Sequence, residues 1–315
     1  MLYLAPLQGY TDYIFRNVYN NFFEGIDVAI SPFVTLVEGK HVKRSHLKDV
    51  LPENNSGIKV IPQVLGYLPD QFIVMANDLY DLGYESLNWN LGCPVPSIAR
   101  KKRGSGMLSH LELIEKTLNE VLPKIPNKLS IKARLGYLNN KELLNIIPIL
   151  NSIPLEFLNI HPRIGLQMYE GELDLEAFCE CIKISNHKIV FSGDIIDFNF
   201  YNELKSRFPS IKDWMLGRGL LSNLFLPNEI LQKKNYSKTE KLIIFSDFIN
   251  ALFEELKKTK TADKHVLNKM KEYWVYFKRM FVDGDEIFNT LKYIQDIERF
   301  TDITNEFLES AEIRV

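Results

Sequence analysis

The sequence predicts an α/β fold: a (β/α)8 TIM barrel followed by a small all-helical C-terminal domain. Three observations carry that prediction. Eight short apolar runs rich in β-formers alternate with stretches of helical period over roughly the first 220 residues, the size of one barrel. The runs are continuously apolar, as strands of a parallel sheet covered by helices must be. From residue 242 onward no run reads as a strand. An open doubly wound sheet is the rival architecture. Its G-x-G-x-x-G after the first strand is absent, and APLQGYTD stands there instead.

The elements follow in order. Strands are expected at 2–6 (LYLAP), 27–31 (DVAIS), 59–66 (KVIPQVLG) and 86–90 (SLNWN). Four more are expected at 129–135 (LSIKARL), 157–162 (FLNIHP), 188–194 (KIVFSGD) and 213–219 (DWMLGRG). The amphipathic stretch DYIFRNVYNNF has Asp12 placed as its N-cap, and PDQFIVMANDLYDLG runs into Gly83, suited to a C-cap. HLELIEKTLNEVL, KELLNIIPILN and DLEAFCECIKIS share the helical period. A polar stretch at 233–241 then leads to four further helices, in LIIFSDFINALFEELKK, KHVLNKMKEYWVYFKRMF, DEIFNTLKYIQDI and ITNEFLESAEI. The expected division is a barrel over 1–235 and a helical domain over 242–315.

Composition bounds the function. The 315 residues are 46% hydrophobic and 25% charged, with a net charge of −2, ordinary for a water-soluble globular protein. No apolar run reaches the ~20 residues of a membrane helix, and MLYLAPLQG lacks the basic start of a leader. Cys93, Cys179 and Cys181 form no disulfide framework, which points to free thiols and the cytoplasm. Cys179 and Cys181 lie two apart in a helical segment, cannot share a face and have no evident partner ligands, so no metal site is expected. The chain is not globally basic, so contact with a polyanion must be local. Two runs qualify: KHVKR at 40–44 and RKKR at 100–103.

In a barrel the chemistry sits at the C-terminal ends of the strands. Uncommon polar residues fall there in strand after strand, among glycines and apolar neighbours: Gln8 beside Pro6 and Leu7; Gln63; Asn90 and then Cys93; Lys132 and Arg134; His161 and Arg163; Ser192 and Asp194 around Gly193; Arg218 after Gly217. The loops after the last two strands commonly bind phosphate. Glycines there let the backbone approach, and Arg218 supplies a planar cationic fork. These features predict a phosphate-bearing cofactor across the barrel mouth, with Lys132 and Gln63 reaching its ring system. A barrel lysine can also form a Schiff base, and Lys132 alone does not decide between the two.

Together the motifs resemble the tRNA-dihydrouridine synthases, over essentially the full length. APLQG is similar to that family's A-P-M-x-G, and NWNLGCP to its D-x-N-x-G-C-P. IKARLG resembles the K-x-R segment, IHPR the H-G-R, FSGDI the N-G-D or N-G-E, and MLGRGLL the M-x-G-R-G run. The tail KHVLNKMKEYWVYFK is most similar to the bacterial C-type branch. The resemblance implies FMN bound by Pro6, Leu7, Gln63, Lys132, His161, Ser192, Gly193, Asp194, Gly217 and Arg218. It implies NADPH as reductant, tRNA as partner, and reduction of a D-loop uridine, at position 16 by the C-type likeness. It implies Cys93 as the general acid that protonates C5, with hydride arriving at C6. A neutral thiol suits that task, so Cys93 is expected to resist ionisation. The uracil edge or the flavin is expected to meet Asn90, with Arg134 and Arg163 close to the substrate. Four positions depart from the family pattern: Asn88 for Asp, Leu7 for Met, Pro162 for Gly and Ser192 for Asn.

The basic residues gain a role in that setting. Arg100, Lys101, Lys102 and Arg103 follow the Cys93 loop, where RNA phosphates would lie. Met270, Trp274, Phe277 and Phe281 form one apolar stripe, and Lys271, Lys278 and Arg279 lie off it, expected to face the RNA. A monomer is expected, since one chain supplies both sides of the cleft. The alternatives are a small-molecule FMN barrel reductase acting on a free pyrimidine or enone, and a catalytically silent tRNA-binding protein.

Overall fold

The computed structural model describes residues 1–36, 38–39, 41–259 and 262–314. Lys40 of the KHVKR run and Val315 of the helical tail lie outside them. The ten strands among the described residues are β1 (Leu2–Leu4), β2 (Val28–Ile30), β3 (Val34–Thr35), β4 (Lys59–Ile61), β5 (Gln63–Leu65), β6 (Ser86–Leu91), β7 (Lys128–Gly136), β8 (Leu155–Ile164), β9 (Ile189–Ser192) and β10 (Asp213–Leu216). All pair in parallel, in the order β3-β5-β6-β7-β8-β9-β10-β1-β2-β4. The two ends of that order meet, because β4 and β5 are one strand interrupted by Pro62. Proline has no N–H to give the ladder, but the Pro62 carbonyl still accepts from the Asn88 N–H at 2.9 Å. β2 and β3 are likewise one strand position, parted by residues 31–33. Ten segments therefore make the eight positions of a closed (β/α)8 barrel.

The interior is filled from the bottom up. Tyr3, Ile30, Ile61, Phe157, Val190 and Met215 belong to a small core of strand residues separate from the main one. Above it lies a polar layer. Gln63 donates to Asn88 (2.7 Å), Asn88 donates to Ser130 (2.9 Å), and Ser130 donates to the Leu87 carbonyl (2.9 Å). The pairing Asn88↔Ser130 and Asn90↔Lys132 on β6 and β7 places the next layer one step nearer the mouth.

The helices carry the expected signals. Asp12, Asp174 and Asp296 each accept from an N–H of the first turn, capping Tyr13–Phe22, Leu175–Ile184 and Ile297–Ser310. Among the described residues four α-helices lie outside the expected set: Pro96–Ala99, Phe198–Arg207, Arg218–Ser222 and Leu226–Leu231. The eighth strand is also shorter than expected. It stops at Leu216, and Arg218 already begins a helix.

The tail comprises Lys238–Thr259, Asp263–Phe277, Gly284–Leu291 and Ile297–Ser310. Met270, Trp274 and Phe277 are buried on the second of these, and Phe281 is buried just past its end. The tail packs on the barrel's first helix through aromatic contacts. Phe248 meets Phe15 and Phe23 at 6.1 and 5.2 Å between centroids, and Tyr273 stacks on Phe15 at 5.6 Å. The Tyr273 hydroxyl donates to the Tyr10 carbonyl at 2.9 Å. No helix among the described residues is long and apolar enough to cross a membrane.

Candidate functional site

A cavity of about 310 Å³ opens at the C-terminal mouth of the barrel, within the size range of ligand sites. Its floor and walls come from strand ends: Pro6 and Leu7 after β1, Asn90 and Cys93 after β6, Lys132 and Arg134 on β7, His161 on β8, Ser192, Gly193 and Asp194 after β9, and Gly217 and Arg218 after β10. Residues scattered over more than two hundred positions meet there because every strand delivers its end to the same rim.

The cavity is cationic. Lys132, Arg134 and Arg218 line it, against Asp194 as the single acid of the lining. Burial, then Arg134, pushes the Lys132 amine down to about 7. Its Nζ has no hydrogen-bond or ion-pair partner among the described residues. Burial and the surrounding Arg134, Lys132, Arg163 and Arg218 hold His161 well below the usual imidazole range, so the ring is neutral. Arg163 can only donate, so His161 Nε2, 3.2 Å from Arg163 Nη1, is the acceptor and Nδ1 carries the proton. Arg218 ion-pairs with Asp194 at 2.5 Å, and Arg163 holds the other oxygen of the same carboxylate at 2.6 Å.

Cys93 is half-buried on the wall, and burial raises its thiol above the ordinary value, with Arg134 and Lys132 as weaker opposing influences. It therefore stays protonated at neutral pH. Its loop is held by Asn90, whose Oδ1 accepts from the N–H groups of Gly92 (3.0 Å) and Cys93 (2.8 Å). Asn90 Nδ2 donates to Gln63 Oε1 at 2.7 Å. That leaves Asn90 one N–H to turn toward a ligand.

Not every residue singled out in the sequence lines the cavity. Gln63 lies beneath it, its amide engaged by Asn88 and Asn90. Arg163 is set behind the wall, with Nε and Nη2 donating to the Gly171 carbonyl. Arg134 lines the cavity but also braces it, donating from Nε to the Gly92 carbonyl (3.0 Å) and from Nη1 to the Ile164 carbonyl (2.9 Å). Arg100, Lys101 and Lys102 are exposed beside the Cys93 loop, Arg103 is half-buried, and the four make no ion pair among the described residues. Lys271 donates to the Ile294 carbonyl, and Lys278 pairs with Asp285 at 2.7 Å, so both charges are turned into the tail. Arg279 is exposed.

Four cavity residues escape sequence reasoning: Phe33, Val95, Ile98 and Tyr169. Tyr169 sits between two guanidinium groups, Arg134 and Arg218, at 5.4 and 5.1 Å from its ring centre. It belongs to a loop after β8, and nothing local marks it. The glycines of the phosphate-type loops are legible and are required by contact. A Cβ on Gly219 would lie 1.8 Å from the Ile195 carbonyl oxygen, so the loops after β9 and β10 touch backbone to backbone. No cluster able to hold a metal occurs among the described residues.

The donor set fits a flavin mononucleotide. A cationic rim with glycine loops suits the phosphate, an apolar side at Leu7 and Phe33 suits a flat ring, and unpartnered Lys132 suits a ring acceptor.

Comparison with known proteins gives concordant results. A family model described as dihydrouridine synthase matches residues 3–312. A tRNA-dihydrouridine(16) synthase of Neisseria meningitidis serogroup A is 27% identical over 316 residues, covering 96% of this chain and 93% of that protein. The tRNA-dihydrouridine synthase B of Pasteurella multocida is 27% identical over 226 residues, covering 71% of this chain and 67% of that one. Among solved structures, an old yellow enzyme homologue from Zymomonas mobilis aligns with a TM-score of 0.51 at 11% identity, over 75% of this chain and 89% of that one, a likeness of fold.

Proposed function

The chain belongs to the dihydrouridine synthase family, and from that premise we propose that it reduces a uridine in the D-loop of tRNA to 5,6-dihydrouridine. FMN is the cofactor, NADPH the reductant and position 16 the target, the position that the name of the Neisseria relative carries. When bound, the reduced flavin supplies the hydride that reaches C6 of the uracil. Lys132, His161, Gly193, Gly217 and Arg218 hold the cofactor, with Pro6, Leu7, Ser192 and Asp194 beside it. Gln63 acts from beneath, by holding Asn90. In this reading residues 1–235 carry the chemistry and residues 242–315 help to hold tRNA, in a monomer working in the cytoplasm.

The observation that carries the reading is the state and place of Cys93. Hydride arrival at C6 leaves enolate-like charge on the ring, and C5 then needs a proton from a positioned donor. The half-buried, neutral thiol on the cavity wall meets that need. Lys132 and Arg134, across the same cavity, offset the charge as it develops. The target base must leave its stack to enter. Arg100, Lys101 and Lys102 offer unpaired cations to the phosphates around it.

The test is incubation of the protein with FMN, NADPH and an unmodified tRNA transcript, followed by digestion and mass analysis. A uridine heavier by two hydrogens, mapped to position 16, is the expected result. Cys93→Ala should keep flavin and tRNA binding and lose about 10²–10⁴-fold in turnover. No reduced uridine despite bound flavin and oxidised NADPH would overturn the tRNA substrate and favour a small-molecule reductase.

A further inference from the structure

The segment that starts at Cys93 returns to it twelve residues later. After the helix Pro96–Ala99 the chain turns back through Lys102, which adopts a left-handed φ of 54°. An ordinary residue takes that conformation only under constraint. Gly104, at φ 57°, then brings the backbone against the cysteine: a Cβ there would lie 2.6 Å from the Cys93 carbonyl oxygen and 2.9 Å from Cys93 Cβ. Ser105 makes the closure. Its N–H and its hydroxyl both donate to the Cys93 carbonyl, at 2.9 and 3.0 Å. Ser105 is fully buried, and Gly165 leaves it room, since a Cβ on Gly165 would lie 2.6 Å from Ser105 Oγ.

The peptide groups on both sides of the thiol are thus held. Asn90 takes the Cys93 N–H from one side, and Ser105 takes the carbonyl from the other. We propose that Gly104 and Ser105 are positioning residues that set the Cys93 thiol in the cavity. The basic residues 100–102 ride on the same closed loop. The inference rests on the reading of Cys93 as proton donor. A serine that merely satisfied a buried carbonyl would matter to stability alone.

Three variants separate these roles. Ser105→Ala removes one of the two bonds to the carbonyl. Gly104→Ala forces a methyl into the cysteine. Gly83→Ala is the control: Gly83 also has positive φ (94°), but a Cβ there would meet nothing within 4 Å. The readouts are kcat and KM for the tRNA transcript, melting temperature, and the rate at which iodoacetamide alkylates Cys93, resolved from Cys179 and Cys181 by peptide mass mapping.

Ser105→Ala should lower kcat about 10-fold, as expected for loss of one buried hydrogen bond at an oriented group. Its KM should stay within about twofold, and its alkylation rate should change several-fold. Gly104→Ala should lose about 100-fold in kcat, the scale of a 1 Å misplacement. Gly83→Ala should lower only the melting temperature. Wild-type kcat and alkylation in Ser105→Ala would overturn the proposal, as would an equal kcat loss in Gly83→Ala. If Gly104→Ala does not fold, Ser105→Ala decides alone. If the wild-type protein reduces no uridine, the functional reading fails, and alkylation still reports whether the closure sets the thiol.

Discussion

Cys93 and Lys132 face the same cavity and are displaced in opposite senses by one cause, loss of water. Burial raises the thiol and lowers the amine, because in each case the charged form loses most. Both displacements have pH signatures. On the proposed acid role the protonated thiol is the working form, so turnover should stay level through the ordinary thiol pKa of about 8.5 and fall only above it. A pH–rate profile under single-turnover conditions checks this, and a decline beginning below about pH 8 would count against the acid role. For Lys132, an acceptor set against Nζ stabilises the ammonium and raises its pKa in the complex. The protonated form therefore binds more tightly, and affinity is greatest below the free value of about 7. Flavin affinity should weaken from about pH 6 to about pH 9 in the wild type, and Lys132→Met should flatten that dependence. Flavin fluorescence titrations at several pH values decide the matter. Cys93, Lys132 and His161 are legible in the sequence because strand ends are where a barrel keeps its chemistry. Phe33 and Tyr169 are not, because a loop aromatic carries no periodicity that says which way it points.

Among the elements, the strands are legible by position and less so by extent. Pro62 interrupts the third apolar run, and the run still reads as a single strand because its neighbours stay buried on both sides. The helix Phe198–Arg207 escapes the sequence for a physical reason: only Tyr201 and Leu204 of its ten residues are buried, too thin a stripe to show a period. The helix Arg218–Ser222 begins inside what reads as a strand, since GRGLL carries no cap or polar face. Its packing gives a sharp expectation. Gly219→Ala puts a methyl 1.8 Å from the Ile195 carbonyl oxygen, and only backbone movement can relieve that clash. We expect a loss of about 1–3 kcal/mol or more in chemical denaturation. Flavin affinity should fall with it, because the loops after β9 and β10 would part. A variant that binds flavin normally would show that the closeness of those loops is not what holds the cofactor.

At the scale of the molecule, a net charge of −2 hides a divided surface. Two of the three cations assigned to RNA in the tail, Lys271 and Lys278, are engaged within it, whereas Arg100, Lys101 and Lys102 stand free beside the cavity. Replacing those three by glutamine should leave the melting temperature unchanged. It should make the salt dependence of tRNA binding shallower by about one unit for each phosphate no longer neutralised. Binding curves at several salt concentrations would show this, and an unchanged slope would place the phosphates elsewhere. The aromatic seam reaches further. Phe15 and Tyr19 of the barrel's first helix, with Phe23 just past its end, form a continuous ladder of rings with Phe248, Tyr273 and Phe277 of the tail. Phe15, Phe248, Tyr273 and Phe277 belong to one hydrophobic core that also contains the helices around the barrel. A chimera that joins this barrel to a relative's tail would therefore set one chain's rings against another's sockets unless residues 13–23 were exchanged as well. The portion that can be traded between relatives is discontinuous: it includes the last quarter of the chain and one helix from its beginning.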